Sequence, residues 1–304
     1  MTSPLPSVDI IIPTYNQADF LREALQSVVD QDYEHWNALV INNLSTDHTR
    51  AVVEDFKDSR INIIDFANDG VIAASRNIGI TRSSATYIAF LDSDDWWLPN
   101  KLSRCIERLE SGADLVCHAE EWRNGSSTRT VAYGPESRTR HLELLLKGNC
   151  LSTSAVVGKT SMFQHVAGFS VNPAFITAED YDLWLRLAEQ GYTFALLEEV
   201  LGVFRIHAAS ASASVERNCR AEMAVVEHHL ARTNITSWWV VRRRAAMSHY
   251  SAGRAHSKSR NFGDAWSHFT SAFLMWPLFR RTYAGVIVLL ATTITGWITR
   301  RFQS

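Results

Sequence analysis

The chain has 304 residues, of which 46% are apolar and 20% charged, so it can bury a sizeable core and is neither disordered nor of low complexity. This length predicts one large domain with an appendage, or two domains. Residues 216–304 hold 13 Lys and Arg against 4 Asp and Glu, whereas residues 1–215 hold 17 against 28. The acidic first part argues against nucleic-acid binding, and the basic tail favours an anionic partner such as a membrane surface.

Strand and helix patterns alternate over the first ninety residues. The predicted strands are 8–13, 36–42, 61–66 and 86–91, and the predicted helices between them are 18–31, 49–56 and 73–83. This rhythm predicts an α/β fold with a mostly parallel, Rossmann-like sheet covered by helices. Ligands of such sheets bind beyond the carboxyl ends of the strands. The segments 14–16, 42–47 and 92–95 are therefore the first candidates for a binding site.

The middle of the chain is less regular. Its predicted elements are a helix at 101–110, a strand at 114–118, a polar loop or hairpin at 122–140, a strand at 151–158, a helix at 178–189 and strands at 193–197 and 200–206. Small residues at 208–214 suit a linker. Helices are then predicted at 217–231, 238–255 and 262–276. We therefore expect two domains, 1–214 and 215–304, the second being a basic helical tail.

Residues 283–298 carry no charge and lie between two arginine pairs. As a helix this run would extend roughly 24 Å, short of a bilayer core of about 30 Å. Three alternatives stay open: a helix that spans a membrane, one that lies in its interface, and one that packs on the rest of the tail.

Four cysteines, Cys105, Cys117, Cys150 and Cys219, form no CxxC pair and have no histidine at zinc-finger spacing. We expect reduced thiols, some of them buried, rather than disulfides or metal ligands. The first residues lack the basic and apolar segments of a secretion signal, so we expect a cytoplasmic protein.

Asp92-Ser93-Asp94-Asp95 follows an apolar strand. Three carboxylates within four residues repel one another, and a divalent cation that prefers oxygen would compensate for that repulsion. Acidic residues at this point would also suit the start of a helix. The residue pattern alone leaves both interpretations open.

A second acidic pair, Glu179-Asp180, opens the predicted helix at 178–189. It is either a helix cap favoured by the helix dipole or a general base for an attacking hydroxyl. Arg205-Ile206-His207 ends a predicted strand, and alternation places Arg205 and His207 on one face.

Six segments together resemble the motif series of the family 2 inverting glycosyltransferases, which have the GT-A fold. In chain order they are Pro13-Thr14-Tyr15-Asn16, Asn42-Asn43-Leu44-Ser45-Thr46-Asp47, Ala74-Ser75-Arg76-Asn77-Ile78-Gly79, Leu91-Asp92-Ser93-Asp94-Asp95, Glu179-Asp180-Tyr181-Asp182-Leu183-Trp184 and Arg205-Ile206-His207. The resemblance covers about residues 7–210 and implies transfer of a sugar from a nucleotide diphosphate sugar to a glycan or lipid-linked hydroxyl in cell-surface polysaccharide synthesis.

The resemblance also implies individual roles. Tyr15 would stack on the nucleotide base, while Pro13, Thr14 and Asn16 shape that pocket. Arg76 would reach the base and phosphate region.

In the acidic motif, Asp92 would face the ribose and Asp94 would hold Mn²⁺ or Mg²⁺, with Ser93 between them and Asp95 as support. His207 would lie near the metal and the diphosphate. Asp180 would be the catalytic base, with Glu179 its neighbour.

The family usually has an aspartate where this chain has Asn42-Asn43. That carboxylate recognises the base, and an amide accepts hydrogen bonds less strongly. A uridine or thymidine donor is expected, with guanosine open. Two alternatives remain from other classes: a non-catalytic protein that binds sugar nucleotides as a scaffold, and a sugar-1-phosphate nucleotidyltransferase. The nucleotidyltransferase would want a glycine-rich, basic turn where this chain has Thr14-Tyr15-Asn16.

Overall fold

A computed structural model describes residues 5–207, 214–235 and 237–301, with side chains up to residue 290. The chain divides into two compact units. Met1–Leu144, Asn149–Pro173 and Glu179–Ser210 form the first, and Leu145–Gly148, Ala174–Ala178 and Ala211–Ser304 form the second. The predicted domain boundary after residue 214 stays a prediction.

The first unit opens with the predicted β-α alternation. Its first elements are β1 (Val8–Thr14), α1 (Ala18–Val29), β2 (Trp36–Asn42), α2 (Thr49–Asp55), β3 (Ile61–Asp65), α3 (Ile72–Arg82) and β4 (Tyr87–Phe90). All seven residues of β1 and all four of β4 are buried, as expected for parallel strands covered on both faces. The four strands are parallel, in the order β3-β2-β1-β4, so their carboxyl ends meet at one edge of the sheet.

The rest of the first unit completes the sheet with antiparallel pairs. The elements are β5 (Trp96–Trp97), α4 (Lys101–Glu110), β6 (Leu115–Asn124), β7 (Ser127–Val131), α5 (His141–Lys147, of which the part up to Leu144 belongs to this unit), β8 (Val156–Lys159), α6 (Thr160–His165), α7 (Glu179–Glu189) and β9 (Phe194–Arg205). The order along the sheet continues from β4 as β8-β6-β9-β5, with β7 paired to β6. This mixed sheet flanked by helices has the GT-A architecture that the resemblance implies.

Three expectations for the middle of the chain need correction. The two strands predicted at 193–197 and 200–206 are one strand, β9, whose pairing with β6 shifts register near Ala119; the exposed Glu198 and Glu199 made this irregular stretch look like a break. The strand predicted at 151–158 begins only at Val156, because a turn of 3-10 helix occupies Thr153–Ala155. The short helices α5 and α6 were not predicted. The hairpin alternative for 122–140 is confirmed by β6 and β7.

Gly79 explains how α3 approaches the sheet so closely. A Cβ atom at this position would lie 2.7 Å from the side chain of Ile11 on β1. Because α3 also carries Arg76, this contact sets the depth at which Arg76 enters the first unit.

The second unit is helical. It contains α8 (Val215–Ala231), α9 (Trp238–Lys258), α10 (Phe262–Met275) and α11 (Arg280–Arg301). Ala265, Phe269 and Leu289 form a buried cluster within it. Within the described residues, no helix is long and apolar enough to cross a membrane. Residues 208–213 of the predicted linker lie outside the description.

Candidate active site

The acidic segment lies where the sequence predicts, directly after β4. Asp95 is fully buried; Ser154 Oγ donates to its Oδ2 (2.6 Å) and the backbone N–H of Arg205 donates to its Oδ1 (2.8 Å). Ser154 Oγ also accepts the backbone N–H of Asp92 (3.1 Å). Burial, followed by the neighbouring Asp94 and Glu120, raises the pKa of Asp95 well above its usual range. Asp95 thus holds the acidic segment in place through its own hydrogen bonds. The carboxylates of Asp92 and Asp94 have other partners.

Asp94 forms a pair with His207. His207 Nε2 lies 2.8 Å from Asp94 Oδ2, and both side chains are largely buried. Arg205 stabilises the backbone at this pair, because its Nε donates to the backbone carbonyl of Asp94 (2.9 Å). Burial and Asp92 raise the pKa of Asp94, and the contact with His207 opposes that rise. The structure therefore brings Asp94 and His207 into direct contact, and the predicted metal site of Asp92, Asp94 and His207 stays a prediction.

Arg76 connects the acidic segment to α7. Its Nη2 donates to Asp92 Oδ1 (2.6 Å) and its Nη1 to Glu179 Oε1 (3.2 Å), while the guanidinium is almost completely buried. A planar guanidinium can bind two carboxylates at once. The predicted contact of Arg76 with a nucleotide stays a prediction; in this structure its terminal nitrogens hold Asp92 and Glu179.

Asp180 is the carboxylate next to this bridge. Asn149 Nδ2 donates to its Oδ2 (3.2 Å), and the backbone N–H of Tyr181 donates to its Oδ1 (2.7 Å). Burial, followed by the carboxylate of Glu179, raises the pKa of Asp180 to about 7. A carboxyl group with a pKa near neutrality is well suited to take and release a proton at neutral pH.

The loop after β1 has the open face that stacking on a base requires. The side chain of Tyr15 is 56% exposed although it stands at the end of a buried strand. Asn16 adopts a positive φ of 50° and is held in place by the segment after β2: its backbone N–H donates to Ser45 Oγ (3.0 Å), and its Oδ1 accepts the N–H of Thr46 (2.8 Å).

Two further residues of the predicted site have structural partners. Ser93, within the acidic segment, donates to Gln17 Oε1 (2.6 Å). Asp47 accepts the backbone N–H of Ala18 and of Thr49, the first residues of α1 and α2, at 3.0 Å each. Burial acts to raise the pKa of Asp47, but the bonds from Thr49 and Ala18 lower it below its usual value. Asp47 therefore satisfies one backbone N–H in the first turn of each of these helices.

Asn42 is paired with a carboxylate that the sequence did not single out. Its Nδ2 donates to Asp65 Oδ1 (2.8 Å), and its Oδ1 accepts the N–H of Ser45 (3.1 Å). Asp65 lies opposite Asn42 in the register of β2 and β3 and also pairs with Arg50. Asn43 accepts the backbone N–H of Asn68 (2.9 Å). The carboxylate of Asp65, on the neighbouring strand, thus lies beside Asn42, the position at which the family usually has an aspartate.

Glu120 is a second acidic group that the sequence analysis missed. It is buried on β6, where Tyr133 Oη and Ser152 Oγ donate to its carboxylate. Burial raises its pKa to about 7, although those hydrogen bonds oppose the rise. No local signal marks it, because Glu120 lies beyond the predicted strand 114–118 and beside the polar residues Glu121 and Arg123; the partners that bury it come from distant segments.

The family model for glycosyl transferase family 2 matches residues 9–165, more than half of the chain. The chain belongs to that family. It is 30% identical over 234 residues to the Escherichia coli protein WfgD, a UDP-Glc:α-D-GlcNAc-diphosphoundecaprenol β-1,3-glucosyltransferase, covering 74% of this chain and 88% of the relative. It is 28% identical over 211 residues to the putative teichuronic acid biosynthesis glycosyltransferase TuaG of Bacillus subtilis, covering 68% of this chain and 81% of TuaG.

Solved structures show the same fold. TarS 1–349 of S. aureus in complex with UDP-GlcNAc matches with a TM-score of 0.64 at 16% identity, over 88% of this chain and 81% of that one. The mannosyltransferase PcManGT of Pyrobaculum calidifontis, in complex with GDP-Man and Mn²⁺, matches with a TM-score of 0.63 at 17% identity, over 98% and 84%. The protein is a glycosyltransferase with the GT-A fold, and the scaffold and nucleotidyltransferase alternatives are not favoured.

Proposed function

We propose that this glycosyltransferase moves a sugar, with inversion, from a nucleotide diphosphate sugar to a hydroxyl of a glycan or lipid-linked acceptor in cell-surface polysaccharide synthesis. The observation that carries the proposal is the bridge made by Arg76, which joins Asp92 of the acidic segment to Glu179, the neighbour of Asp180. One buried side chain thereby holds a carboxylate of the proposed donor site and the residue that directly precedes the candidate base, Asp180.

The donor would lie against the loops that follow β1, β2 and β4. The residues proposed to bind it are Pro13, Thr14, Tyr15, Asn16, Asn42, Asn43, Arg76, Asp92, Ser93 and Asp94. The exposed ring of Tyr15 supports stacking on the base. Asp65, which is hydrogen-bonded to Asn42, supplies a carboxylate near the residue that would recognise the base. A uridine or thymidine diphosphate sugar is favoured because WfgD, by its name, uses UDP-Glc; PcManGT keeps guanosine open.

The acidic segment fits a divalent cation, Mn²⁺ or Mg²⁺. Asp94 and His207 would hold it with help from Asp92, since carboxylate oxygens with one imidazole suit Mn²⁺ well and Mg²⁺ through the carboxylates. Burial, followed by the neighbouring carboxylate of Asp92, raises the pKa of Asp94, and a bound cation would stabilise the ionised form. When bound, the cation neutralises charge that develops on the departing diphosphate.

The transfer would be a single displacement. Asp180 accepts the proton of the acceptor hydroxyl, and the oxygen bonds to the anomeric carbon from the face opposite the leaving group. The bond between that carbon and the diphosphate oxygen breaks, so configuration inverts and the nucleoside diphosphate leaves with the electron pair. Asn149 orients Asp180 by donating to Oδ2. Burial, followed by the carboxylate of Glu179, keeps the pKa of Asp180 high.

The second unit is proposed to bring the enzyme to the cytoplasmic face of a membrane, near a lipid-linked acceptor. Large apolar side chains stand exposed on it, among them Trp238, Leu274, Leu278 and Ile287. Residues 216–304 also hold 13 Lys and Arg against 4 acidic residues. Each such cation near an anionic surface contributes about 1 kcal/mol, and an apolar face adds partial insertion without a spanning helix. The diphosphoundecaprenol acceptor in the name of WfgD supports this choice.

A donor screen tests the function. UDP-, dTDP- and GDP-sugars are incubated with the purified chain, with and without Mn²⁺, and release of nucleoside diphosphate is measured with a synthetic lipid diphosphate-sugar acceptor. One donor should be consumed in a metal-dependent manner, and the new linkage should have the anomeric configuration opposite to that of the donor. A product that retains the donor configuration contradicts the single displacement, whereas binding of donors without turnover supports the scaffold alternative.

A further inference from the structure

A cluster of metal-ligating side chains lies inside the second unit, away from the residues of the active site. The sulfur of Cys219 and one ring nitrogen each of His249 and His268 lie within 4.8 Å of one another. They come from three helices, α8, α9 and α10. Cys219 and His268 are buried and His249 is partly buried. Thiolate and imidazole are the preferred ligands of Zn²⁺ and other borderline transition metals.

The arrangement around His268 orients one of its nitrogens as a ligand. Its Nε2 lies 2.8 Å from Glu216 Oε1, and its Nδ1 lies 2.9 Å from His249 Nδ1. If Nε2–H donates to the carboxylate, the lone pair of Nδ1 points towards His249. A carboxylate that accepts from the outer N–H of a histidine is the usual support of a histidine bound to zinc.

His256 completes this support. Its Nε2 lies 3.0 Å from the same oxygen of Glu216, and its ring stacks on that of His268 at a centroid distance of 5.5 Å. Glu216 and Cys219 are three residues apart on α8, and His249 and His256 are seven apart on α9, so each pair lies on one face of its helix. His268 lies between the two pairs.

The other side of His268, formed by Glu216 and His256, also brings three donor groups together. Glu216 Oε1 is already in hydrogen-bond contact with both histidines there, with His268 Nε2 at 2.8 Å and His256 Nε2 at 3.0 Å. The carboxylate therefore serves best as the outer partner. The Cys219 side offers a sulfur ligand and two nitrogens, which discriminates in favour of zinc over Mg²⁺ and Ca²⁺.

We propose that Cys219, His249 and His268 bind one Zn²⁺ ion that ties α8, α9 and α10 together, with Glu216 and His256 orienting His268. Binding releases the thiol proton of Cys219 to solvent and moves the proton of His249 from Nδ1 to Nε2, so that both Nδ1 atoms present lone pairs. The contact between the two Nδ1 atoms opens to admit the ion. A water molecule would provide the fourth ligand, because three protein ligands leave one tetrahedral position.

The experiment measures metal content and spectra on the full-length chain. The protein is stripped with a chelator, loaded with Zn²⁺ or Co²⁺, desalted and analysed by elemental analysis and absorption spectroscopy. The proposal expects one tightly held zinc per chain, a higher melting temperature with zinc, and a Co²⁺ form with the near-ultraviolet band of a thiolate ligand. Asp94→Ala, which removes a proposed ligand of the catalytic metal, should retain all three results, so failure of the donor-site metal would not affect this outcome.

Variants locate the ion. Cys219→Ser should abolish the thiolate band, and His249→Gln should lower zinc retention at least tenfold. Cys150→Ser, at a buried thiol of the first unit, is the matched control and should leave both unchanged. If Cys219→Ser does not fold, His249→Gln still tests the site because its ring is only partly buried. A wild-type chain that retains no zinc and shows no thiolate band overturns the proposal and leaves the cluster as a hydrogen-bonded network only.

Discussion

His207 Nε2 lies 2.8 Å from Asp94 Oδ2, although 113 residues separate the two in the chain. The contact arises because β9 runs into the acidic segment, where Arg205 bonds to both Asp94 and Asp95. A carboxylate and an imidazole held together in this way form a pair that can share one cation.

Asp94→Ala should abolish detectable turnover and weaken nucleoside diphosphate binding in Mn²⁺, because the carboxylate nearest His207 is lost. His207→Ala should lower turnover less and raise the Mn²⁺ concentration needed for half-maximal rate. Initial rates over a Mn²⁺ titration and thermal shifts with nucleoside diphosphate provide the measurement. Asp55→Ala is the control, since Asp55 is an exposed carboxylate on α2 that pairs only at the surface with Arg22. Full wild-type activity in the presence of EDTA would contradict the metal requirement.

Asp180→Asn should reduce kcat at least a hundredfold with donor affinity little changed, because an amide cannot accept the acceptor proton. In the wild-type enzyme only the deprotonated carboxylate is active. Because its pKa is about 7, kcat should rise as the pH increases through about 7, and this limb should be absent from the residual rate of the variant. Loss of donor binding would instead identify Asp180 as a donor ligand and make Glu179 the next candidate for the base.

The same substitution has a signature in stability. The ordinary pKa of the Asp180 carboxyl is 3.8 and its folded-state pKa is about 7, so between these values the folded state binds more protons than the unfolded state. The contribution of Asp180 to stability is therefore greatest at low pH and is lost as the pH rises towards 7 and above. Relative to wild type, Asp180→Asn should gain up to about 4 kcal/mol between pH 4 and pH 8. Urea unfolding at both pH values measures the difference.

Arg76→Lys should destabilise the first unit by about 3–5 kcal/mol, because one ammonium group cannot bind Asp92 and Glu179 together and leaves buried charge uncompensated. Thermal unfolding measures this loss. Arg22→Lys is the matched control at the exposed pair with Asp55, and its effect should not exceed about 1 kcal/mol. Equal effects of the two substitutions would show that the bridge has no special importance for stability.

Gly79→Ala should destabilise the protein by about 1–3 kcal/mol, because the added methyl group would lie 2.7 Å from Ile11. Ile11→Ala alone should also destabilise the protein, because Ile11 is fully buried. It removes the clash, however, so the double variant should be more stable than the sum of the two single effects predicts. Gly263→Ala on α10 meets nothing within 4 Å and should stabilise its helix by up to about 1 kcal/mol. Chemical denaturation of the four variants measures these differences.

The membrane proposal predicts that the full-length chain sediments with anionic liposomes at low salt and is released as salt increases. A triple variant with Trp238, Leu278 and Ile287 changed to Gln should bind less without a lower melting temperature, since these side chains are exposed. Val171→Gln, which changes an exposed apolar residue of the first unit, should bind as wild type does. A chain truncated after Arg281 should keep donor hydrolysis and bind anionic liposomes more weakly, since it loses the exposed Ile287 but keeps Trp238 and Leu278. If the wild-type protein does not bind anionic liposomes, the membrane proposal is wrong and the tail is a packing or oligomerisation element.

The sequence by itself determined the features that depend on local order. Alternating apolar runs and helical periodicity predicted β1 to β4 and α1 to α3 within one or two residues, because buried parallel strands and amphipathic helices each impose a short-range period. The ends of those strands indicated where a ligand would bind. The acidic segment, the Glu179-Asp180 pair and His207 were chosen on residue type and order along the chain, and the family match agrees with that order.

Only the tertiary structure decided which side chains meet. Nothing local in the sequence joins Arg76 to Glu179, 103 residues away, or Asn42 to Asp65 across neighbouring strands. The burial that raises the pKa of Asp180 also comes from distant segments. Cys219 has no histidine nearby in the sequence, so spacing predicted no metal site, whereas His249 and His268 approach it from two other helices. Backbone periodicity is a property of a few consecutive residues, but pairing, burial and proton affinity depend on packing between segments that the chain order does not specify.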